Sequence, residues 1–270
     1  MNNLKQIFFI LVITGFLQPV MAQNIKVEYR VKAKQSTDKP AFSEPFLLLI
    51  NNQGKSLFIS KNKLLSDKIF AQYYKKMTVG NAHEVKFSAS DPALIAAGKY
   101  KNKYRIVIEK DFNKGKLKYQ QNAFMSILQY TAPLPVLHWQ ITGRQKQLLG
   151  YKVQQAKLHY KGRDYTAWYA PAIAKSDGPF KFWGLPGLIL EIADSKDDYH
   201  FIATGIEFPA QLSFPKKCFA EYSGFIPLIY TTEKKFKPDF EKTFSPENIL
   251  GNSAIIGKNS EELKAARVQK

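Results

Sequence analysis

Apolar and polar residues alternate with a period of two along much of the chain, a pattern that predicts strands burying one face. The first example is formed by Ile25, Val27, Tyr29 and Val31, which alternate with charged residues. By the same criterion we predict further strands at 46–51, 56–60, 105–109, 116–121, 139–142, 152–160, 165–169, 188–192 and 199–204. A linker containing Asn and Gly joins the second strand to the third and predicts a hairpin.

Two segments have a helical period instead. Through residues 62–78 an apolar residue recurs at every fourth position, which predicts an amphipathic helix, and Gly80 is suited to end it. A short helix is predicted at 92–98, because Asp91 can cap its first turn and Pro92 fits the first helical position.

Together these elements predict a mainly β fold, in which a curved antiparallel sheet packs with one or two helices. The architecture that we expect is an open half-barrel similar to lipoprotein carriers. In it the sheet wraps around a helix and holds an apolar concavity suited to a ligand. Residues 23–270 are predicted to form a single domain, with an irregular C-terminal extension from about residue 209.

The first 22 residues have the composition of a cleavable secretory signal peptide. Lys5 precedes an apolar run at 7–17, and a small-residue pattern ends at Ala22, after which we expect cleavage. The run is shorter than the roughly 20 apolar residues that a membrane-spanning helix needs. The mature chain is therefore predicted to have no transmembrane segment and to be periplasmic or secreted.

The chain is strongly basic, with a formal net charge of +18 and a sequence pI of about 9.7. In the cytoplasm such a charge would suggest nucleic acid, but export removes that partner. The charge then indicates either a solvated cationic surface or attraction to an anionic envelope component, such as lipid phosphates or acidic glycans. The single cysteine, Cys218, permits no intramolecular disulfide, and its thiol is either buried and inert or paired with another chain.

One short block carries a family resemblance, and it consists of Gly184, Leu185, Pro186, Gly187, Leu188 and Ile189. Its one-letter string, GLPGLI, is the string that names the GLPGLI family of exported proteins from Gram-negative bacteria. The dipeptide Gly150-Tyr151 and the segment 162–171 resemble two further blocks of that family, in the same order. The chain is similar to the family over most of residues 23–208. This resemblance implies an exported cell-envelope protein without an established biochemical activity.

Within the GLPGLI block, Pro186 and Gly187 predict a type II turn. Proline fixes φ at about −65°, and glycine accepts the positive φ that follows. Leu188, Leu190 and Ile192 then share one face of a strand, which we expect to face the core. We interpret the block as a structural corner rather than a ligand site.

The candidate ligand-binding residues lie just before this block and are Arg163, Asp164, Trp168 and Tyr169. The first two are predicted to occupy a turn, and the other two the end of the following strand. A guanidinium beside exposed aromatic rings can hold an anionic or planar ligand through paired hydrogen bonds and stacking. The alternative is that Arg163 and Asp164 pair to stabilise the hairpin, with Trp168 in the core.

No residue pattern assigns a catalytic group, a metal site or a cofactor. Metal-ligand spacing is missing among the four histidines, which are His83, His138, His159 and His200. The chain has neither a Gly-x-Ser-x-Gly elbow nor a glycine-rich phosphate loop. Asp177 and Glu191 flank the GLPGLI block and could act as paired carboxylates, although turn and edge-strand roles are the simpler interpretation.

These observations favour a non-catalytic periplasmic accessory or binding protein that works with outer-membrane machinery. Its partner would be an outer-membrane protein or an anionic envelope component. The alternative is an envelope hydrolase of the peptidase type, whose catalytic groups come together only in the folded chain. A purely structural envelope component is the third hypothesis.

Overall fold

The computed structural model of the protein describes residues 23–34, 40–77, 92–101, 106–123, 126–212 and 228–230. Within them the helices are α1 (Lys61–Met77) and α2 (Pro92–Gly98). The strands are β1 (Ile25–Ala33), β2 (Phe42–Ile50), β3 (Lys55–Ser60), β4 (Ile106–Asp111), β5 (Lys116–Ala123), β6 (Ser126–Pro133), β7 (Gln140–Leu148), β8 (Tyr151–Tyr160), β9 (Arg163–Ala170), β10 (Leu188–Asp194), β11 (Tyr199–Glu207) and β12 (Leu228–Tyr230). Neither helix combines the length and the apolar composition that crossing a membrane requires.

Every strand and helix predicted from the sequence is present, with ends that differ by a few residues. β7 is about twice as long as predicted, and β6 and β12 were not predicted. β6 has no simple alternation, because Ile127 and Tyr130 are both buried although they point to opposite faces. β7 is polar and largely exposed, and β12 is too short to show a period. The predicted helix stop at Gly80 and cap at Asp91 lie outside the described residues.

The described strands form one sheet, in the order β12-β6-β5-β4-β3-β2-β1-β11-β10-β9-β8-β7. Neighbouring strands are antiparallel except for β12, which runs parallel to β6. β1 pairs with both β2 and β11, so it joins the N-terminal half of the sheet to the C-terminal half. The predicted antiparallel sheet is confirmed, and among the described strands no pairing closes it into a barrel.

The connection between β6 and β7 shows that the sheet is strongly curved. These strands are ten spacings apart in the sheet, which would be about 48 Å if the sheet were flat. Residues 134–139 connect them, and the chain from Pro133 to Gln140 can reach at most about 25 Å. The sheet must therefore curl until its two ends approach each other.

The concave face carries the larger hydrophobic cluster, because side chains from distant strands meet there. Tyr119 of β5 and Tyr165 of β9 are seven strand spacings apart, or about 34 Å in a flat sheet. Phe180 and Phe182 nevertheless link these two rings through successive centroid distances of 6.4, 6.0 and 4.9 Å.

Phe180 and Phe182 belong to residues 171–187, which connect β9 to β10 and are called the inner loop from here on. The Phe182 ring also lies 6.5 Å from Trp139, 6.3 Å from Tyr160 and 6.3 Å from Phe201. The inner loop thus packs inside the curl of the sheet. The protein's own side chains occupy the concavity in which we expected a ligand.

Helix α1 packs on the opposite, convex face. Ser60 caps its N-terminus, because the Ser60 hydroxyl accepts a hydrogen bond of 3.2 Å from the Lys63 N–H. Leu64 then covers a small cluster of strand residues, which consists of Leu49, Leu57, Ile59 and Val107. The helix therefore lies outside the curl, which differs from the expected helix inside it.

Candidate functional site

The GLPGLI block forms the end of the inner loop and the start of β10. Leu185, Leu188 and Ile189 are buried in the larger hydrophobic cluster. The Tyr29 hydroxyl donates a hydrogen bond of 2.5 Å to the Ile189 carbonyl, and burial raises the pKa of that hydroxyl well above its ordinary value. The block is therefore bonded to the centre of the sheet as well as packed on it.

The predicted type II turn within the block is wrong. Such a turn would join the Leu188 N–H to the Leu185 carbonyl, but Leu188 donates instead to Ile173, at 3.1 Å. The Gly187 N–H donates to Leu185 at 2.8 Å, which closes a tighter, three-residue turn. Gly187 is required for a different reason, since a Cβ atom there would lie 2.3 Å from the Ala170 carbonyl oxygen.

A buried ion pair holds the inner loop to the sheet. Lys110 of β4 is completely buried, and its ammonium group contacts Oδ1 of Asp177 in the inner loop. It also donates hydrogen bonds of 2.7 and 3.3 Å to the carbonyls of Gly178 and Phe182. Burial lowers the Lys110 pKa, while the Asp177 carboxylate works in the opposite direction.

Two polar atoms near this pair have no hydrogen-bond partner among the described residues. One is Oδ2 of Asp177, and the other is the hydroxyl of Ser56, which lies opposite Lys110 in the pairing of β3 with β4. Both atoms are buried, and a buried polar atom without a partner is costly. The carboxylate of Glu191 is not part of this group, so Asp177 and Glu191 do not act as a pair.

A second lysine is buried in the inner loop itself. Lys181 of the inner loop donates a hydrogen bond of 2.6 Å to the Tyr130 hydroxyl. Its ammonium group lies 4.8 Å from the ring centroid of Tyr119 and 5.6 Å from that of Phe180. Sequence reasoning missed both buried lysines. For Lys181 the usable signal was its position between two phenylalanines in an apolar block.

Arg163 is the first residue of β9 and not part of the turn. The turn is formed by Lys161 and Gly162, whose φ angles of 49° and 75° match a two-residue hairpin of type I′. The Arg163 guanidinium bonds to Asp194 and, at 2.9 Å, to Asp198. Burial acts to lower the Arg163 pKa, but these two carboxylates outweigh it and raise the pKa. Arg163 thus links β9 to the β10–β11 hairpin.

The other three candidate ligand residues point in different directions. Asp164 is exposed and lies 2.7 Å from Nδ1 of His159. Tyr169 is buried and donates a hydrogen bond of 2.7 Å to Gln154. Because side chains alternate along a strand, Asp164 and Trp168 lie on the opposite face from Arg163 and Tyr169. The structure does not bring the four together, and their role in ligand binding stays a prediction.

Trp168 belongs to a partly exposed group on the convex face, which we call the Trp168 cluster and which also contains Lys146, Glu191 and His200. The Lys146 ammonium group lies 4.4 Å from the Trp168 ring centroid and bonds to Glu191. Nε2 of His200 is 3.0 Å from the other Glu191 oxygen. The hydrogen bond from His200, together with Lys146, lowers the Glu191 pKa.

The Trp168 cluster presents charged and aromatic groups, and its described residues do not include a hydroxyl or thiol nucleophile. An imidazole hydrogen-bonded to a carboxylate is the usual pair that activates a nucleophile. In the described part of the chain, no hydroxyl or thiol bonds to the His200 imidazole. Nor do the described residues contain three or more His, Cys, Asp or Glu side chains grouped to hold a metal. His83 and Cys218 lie outside the described residues.

The fold and these contacts define a curved-sheet β protein whose concave face is filled by its own β9–β10 connection. The profile of a family described as "Protein of unknown function (Porph_ging)" matches residues 157–191, which run from β8 through the inner loop into β10. No curated protein matches the chain.

The solved structures that are similar to this chain include two of one protein. "Structure of PNGF-II in C2 space group" has a TM-score of 0.52 and 14% identity, covering 82% of this chain and 33% of that one. "Structure of PNGF-II in P21 space group" has a TM-score of 0.50 and 12% identity, covering 83% and 34%. The chain thus spans about a third of the length of these structures, and at such identities the similarity concerns the fold alone.

Proposed function

We propose that the protein is an exported, non-catalytic accessory or binding protein of the GLPGLI family, working with outer-membrane machinery in the periplasm or beyond. The match to residues 157–191 supports this proposal, because it includes the GLPGLI block. The proposal further takes residues 1–22 as a signal peptide that is removed after Ala22, and residues 23–270 as a single domain.

The observation that carries the proposal is that the inner loop fills the concave face of the sheet. Lys110, Asp177 and Lys181 are buried and hold that loop to the sheet, so a ligand in solvent does not reach them. A partner must then be recognised on the outside of the molecule. Trp168 and Asp164, which lie on the convex face with exposed surface, are the candidate residues that suit this role.

The charge of the chain indicates the kind of partner. A formal net charge of +18 attracts anionic surfaces and speeds association with them. An outer-membrane protein with an acidic surface, or an anionic envelope component, therefore fits better than a neutral ligand.

The alternative function, an envelope hydrolase, is favoured by one observation, the His200–Glu191 pair in the Trp168 cluster. It would need a nucleophile or an activated water at His200. Turnover of peptides or esters by the purified protein, abolished by H200Q, would support this alternative against the accessory function.

The accessory function is tested by crosslinking a tagged protein in growing cells and identifying the attached proteins by mass spectrometry. The matched control is the same tagged chain without residues 1–22, which is expected to stay in the cytoplasm. We expect one dominant outer-membrane protein with the full chain and none with the control. A protein that crosslinks to no partner and turns over substrates would refute the proposal.

A further inference from the structure

β7 forms one end of the sheet, and no described strand pairs with its outer edge. β7 is nine residues long, but a bulge between Ile141 and Gln145, where the Arg144 N–H donates to the Thr142 hydroxyl, interrupts its edge. From Gln145 to Leu148 the edge is regular and presents main-chain N–H and C=O groups that another strand can pair with. At the opposite end of the sheet, β12 pairs with three residues of β6. The two ends of the sheet therefore differ, and the β7 edge is the longer free one among the described residues.

Contacts with the rest of the protein hold β7 in place. At its start, the Trp139 indole donates a hydrogen bond of 2.8 Å to the Trp183 carbonyl of the inner loop. Further along, the Thr142 hydroxyl donates to the Gln155 side chain at 3.0 Å, and Lys146 bonds to Glu191. A strand held in this way loses little conformational freedom on binding, which favours association.

The charges within the β7–β8 hairpin are all of one sign. Residues 112–163 contain nine Lys and Arg residues and no Asp or Glu, so this part of the chain carries half of the net charge of +18. Arg144 on β7 and Lys152 and Lys157 on β8 are exposed and form no ion pair with a described carboxylate. The free edge is therefore cationic, with Ile141 beside it as an apolar contact whose exposure is 52%.

This charge pattern decides which partner the edge can accept. A second copy of the chain, paired along the same edge, would bring the cations of the two β7–β8 hairpins together. Like charges in direct opposition are destabilising, and cations on an edge strand are a known protection against self-pairing. The same cations attract an acidic strand. The edge therefore disfavours pairing with a second copy of itself and favours an acidic partner.

We propose that β7 is a docking edge for an extended acidic segment of a protein partner, which adds to the sheet as an extra strand. The main-chain groups of the edge would supply affinity, and Arg144 with its cationic neighbours would supply the preference for acid. This inference rests on the proposed accessory function, and it states which surface and which kind of segment the partner uses.

The test measures binding of a fluorescent peptide of about ten residues that alternates Val and Glu, long enough to pair along β7. The second peptide has the same sequence with N-methyl groups on alternate residues, which keeps its charge but removes main-chain donors. The third peptide replaces Glu with Lys. We expect binding of the first peptide alone, and weaker binding at higher salt.

Variants of the protein locate the site. We expect R144E to weaken binding of the acidic peptide at least about tenfold, because it places like charges across the edge. The matched control is K99E, an exposed lysine beyond α2, which changes the net charge equally and should leave affinity within about twofold. Circular dichroism of both variants checks that the fold is retained.

Three outcomes would overturn the docking edge. The first is that the N-methylated peptide binds as tightly as its parent. The second is that R144E and K99E bind the acidic peptide with equal affinity. The third is that vesicles rich in phosphatidylglycerol bind through Arg144 while the peptide does not bind. The proposed function is separable from these results. If R144E still crosslinks to the same outer-membrane protein in cells, the accessory function stands and the docking edge is wrong.

Discussion

Two lysine–carboxylate pairs in this protein have the same chemistry and opposite surroundings. Lys110 and Asp177 meet on the concave face, where their side chains are 0% and 3% exposed. Lys146 and Glu191 meet on the convex face, where the exposures are 35% and 14%. The first pair joins the inner loop to the centre of the sheet, and the second joins the edge strand β7 to β10.

Burial decides how such a pair contributes to the protein. Water screens the outer pair and can replace either partner, so its net contribution to stability is small. Burial shields the inner pair from bulk solvent, and each charge depends on the other and on the carbonyls around it. We therefore expect the inner pair to fix the position of the inner loop. We expect the outer pair to affect only the charges on a surface that partners can reach.

The largest expected effect is that of removing one charge from the inner pair. We expect K110M to lower the free energy of unfolding by about 3–5 kcal/mol, because it leaves the Asp177 carboxylate buried without a counter-charge. Denaturant unfolding followed by circular dichroism measures the loss. The double variant K110M/D177L should be more stable than K110M, since it removes both charges. If K110M lowers the free energy of unfolding no more than a surface substitution does, burial does not distinguish the two pairs.

The inner loop packs so closely against β9 at Gly187 that we expect no larger residue to be tolerated there. In G187A the new methyl group would collide with the Ala170 carbonyl, so we expect a loss of at least about 3 kcal/mol in the free energy of unfolding. G150A is the matched control. Gly150 also has a positive φ, of 80°, but no atom lies within 4 Å of a Cβ built there, and its cost should be about 1–2 kcal/mol. Equal losses for the two variants would contradict the close contact.

The outer pair predicts a pH dependence through Glu191. Its pKa is lowered in the folded protein, by His200 first and then by Lys146. The unfolded chain therefore binds more protons, and the contribution of Glu191 to stability is present above its unfolded pKa of about 4.5. It is lost as the pH falls through the folded pKa.

We expect E191Q to be less stable than the wild type by about 1–2 kcal/mol at neutral pH. The difference should shrink as the pH falls below about 4.5. Parallel unfolding titrations of the two proteins measure it. A difference that stays constant down to strongly acidic pH would mean that the Glu191 charge is not what stabilises the cluster.

The smallest effect is expected for K146M, which removes the outer lysine. The loss in the free energy of unfolding should be at most about 1 kcal/mol, and it should diminish at high salt. Thermal unfolding at low and high ionic strength measures both features. A loss as large as that of K110M would show that exposure does not separate the two pairs.

The sequence predicted the strands and helices well because their signal is local. β1 alternates strictly, with Ile25 and Val27 buried and the residues between them more exposed. The same reasoning failed where a strand has two buried faces or two exposed ones. β6 is an example of the first kind, and the edge strand β7 is an example of the second. In both, position in the sheet removes the alternation that periodicity depends on.

The candidate site was predicted less well, because its residues were grouped by distance along the chain. Arg163 and Asp164 are neighbours in sequence, yet one bonds to the β10–β11 hairpin and the other to His159. The partner of Trp168 is Lys146, which comes from the edge strand. Such contacts follow from the order of strands in the sheet, and that order cannot be predicted from the residues of any single segment.

The basic charge and the period of most strands can be read from the sequence alone, because they depend on composition and on nearby residues. The curved sheet was predicted and is confirmed, but the folded chain was needed to show that the inner loop fills the concave face and that Lys110 meets Asp177 there. Lys110 lies on a strand that is buried on both faces. A buried charge is tolerated only where a partner arrives from elsewhere in the chain, and folding alone brings that partner into place.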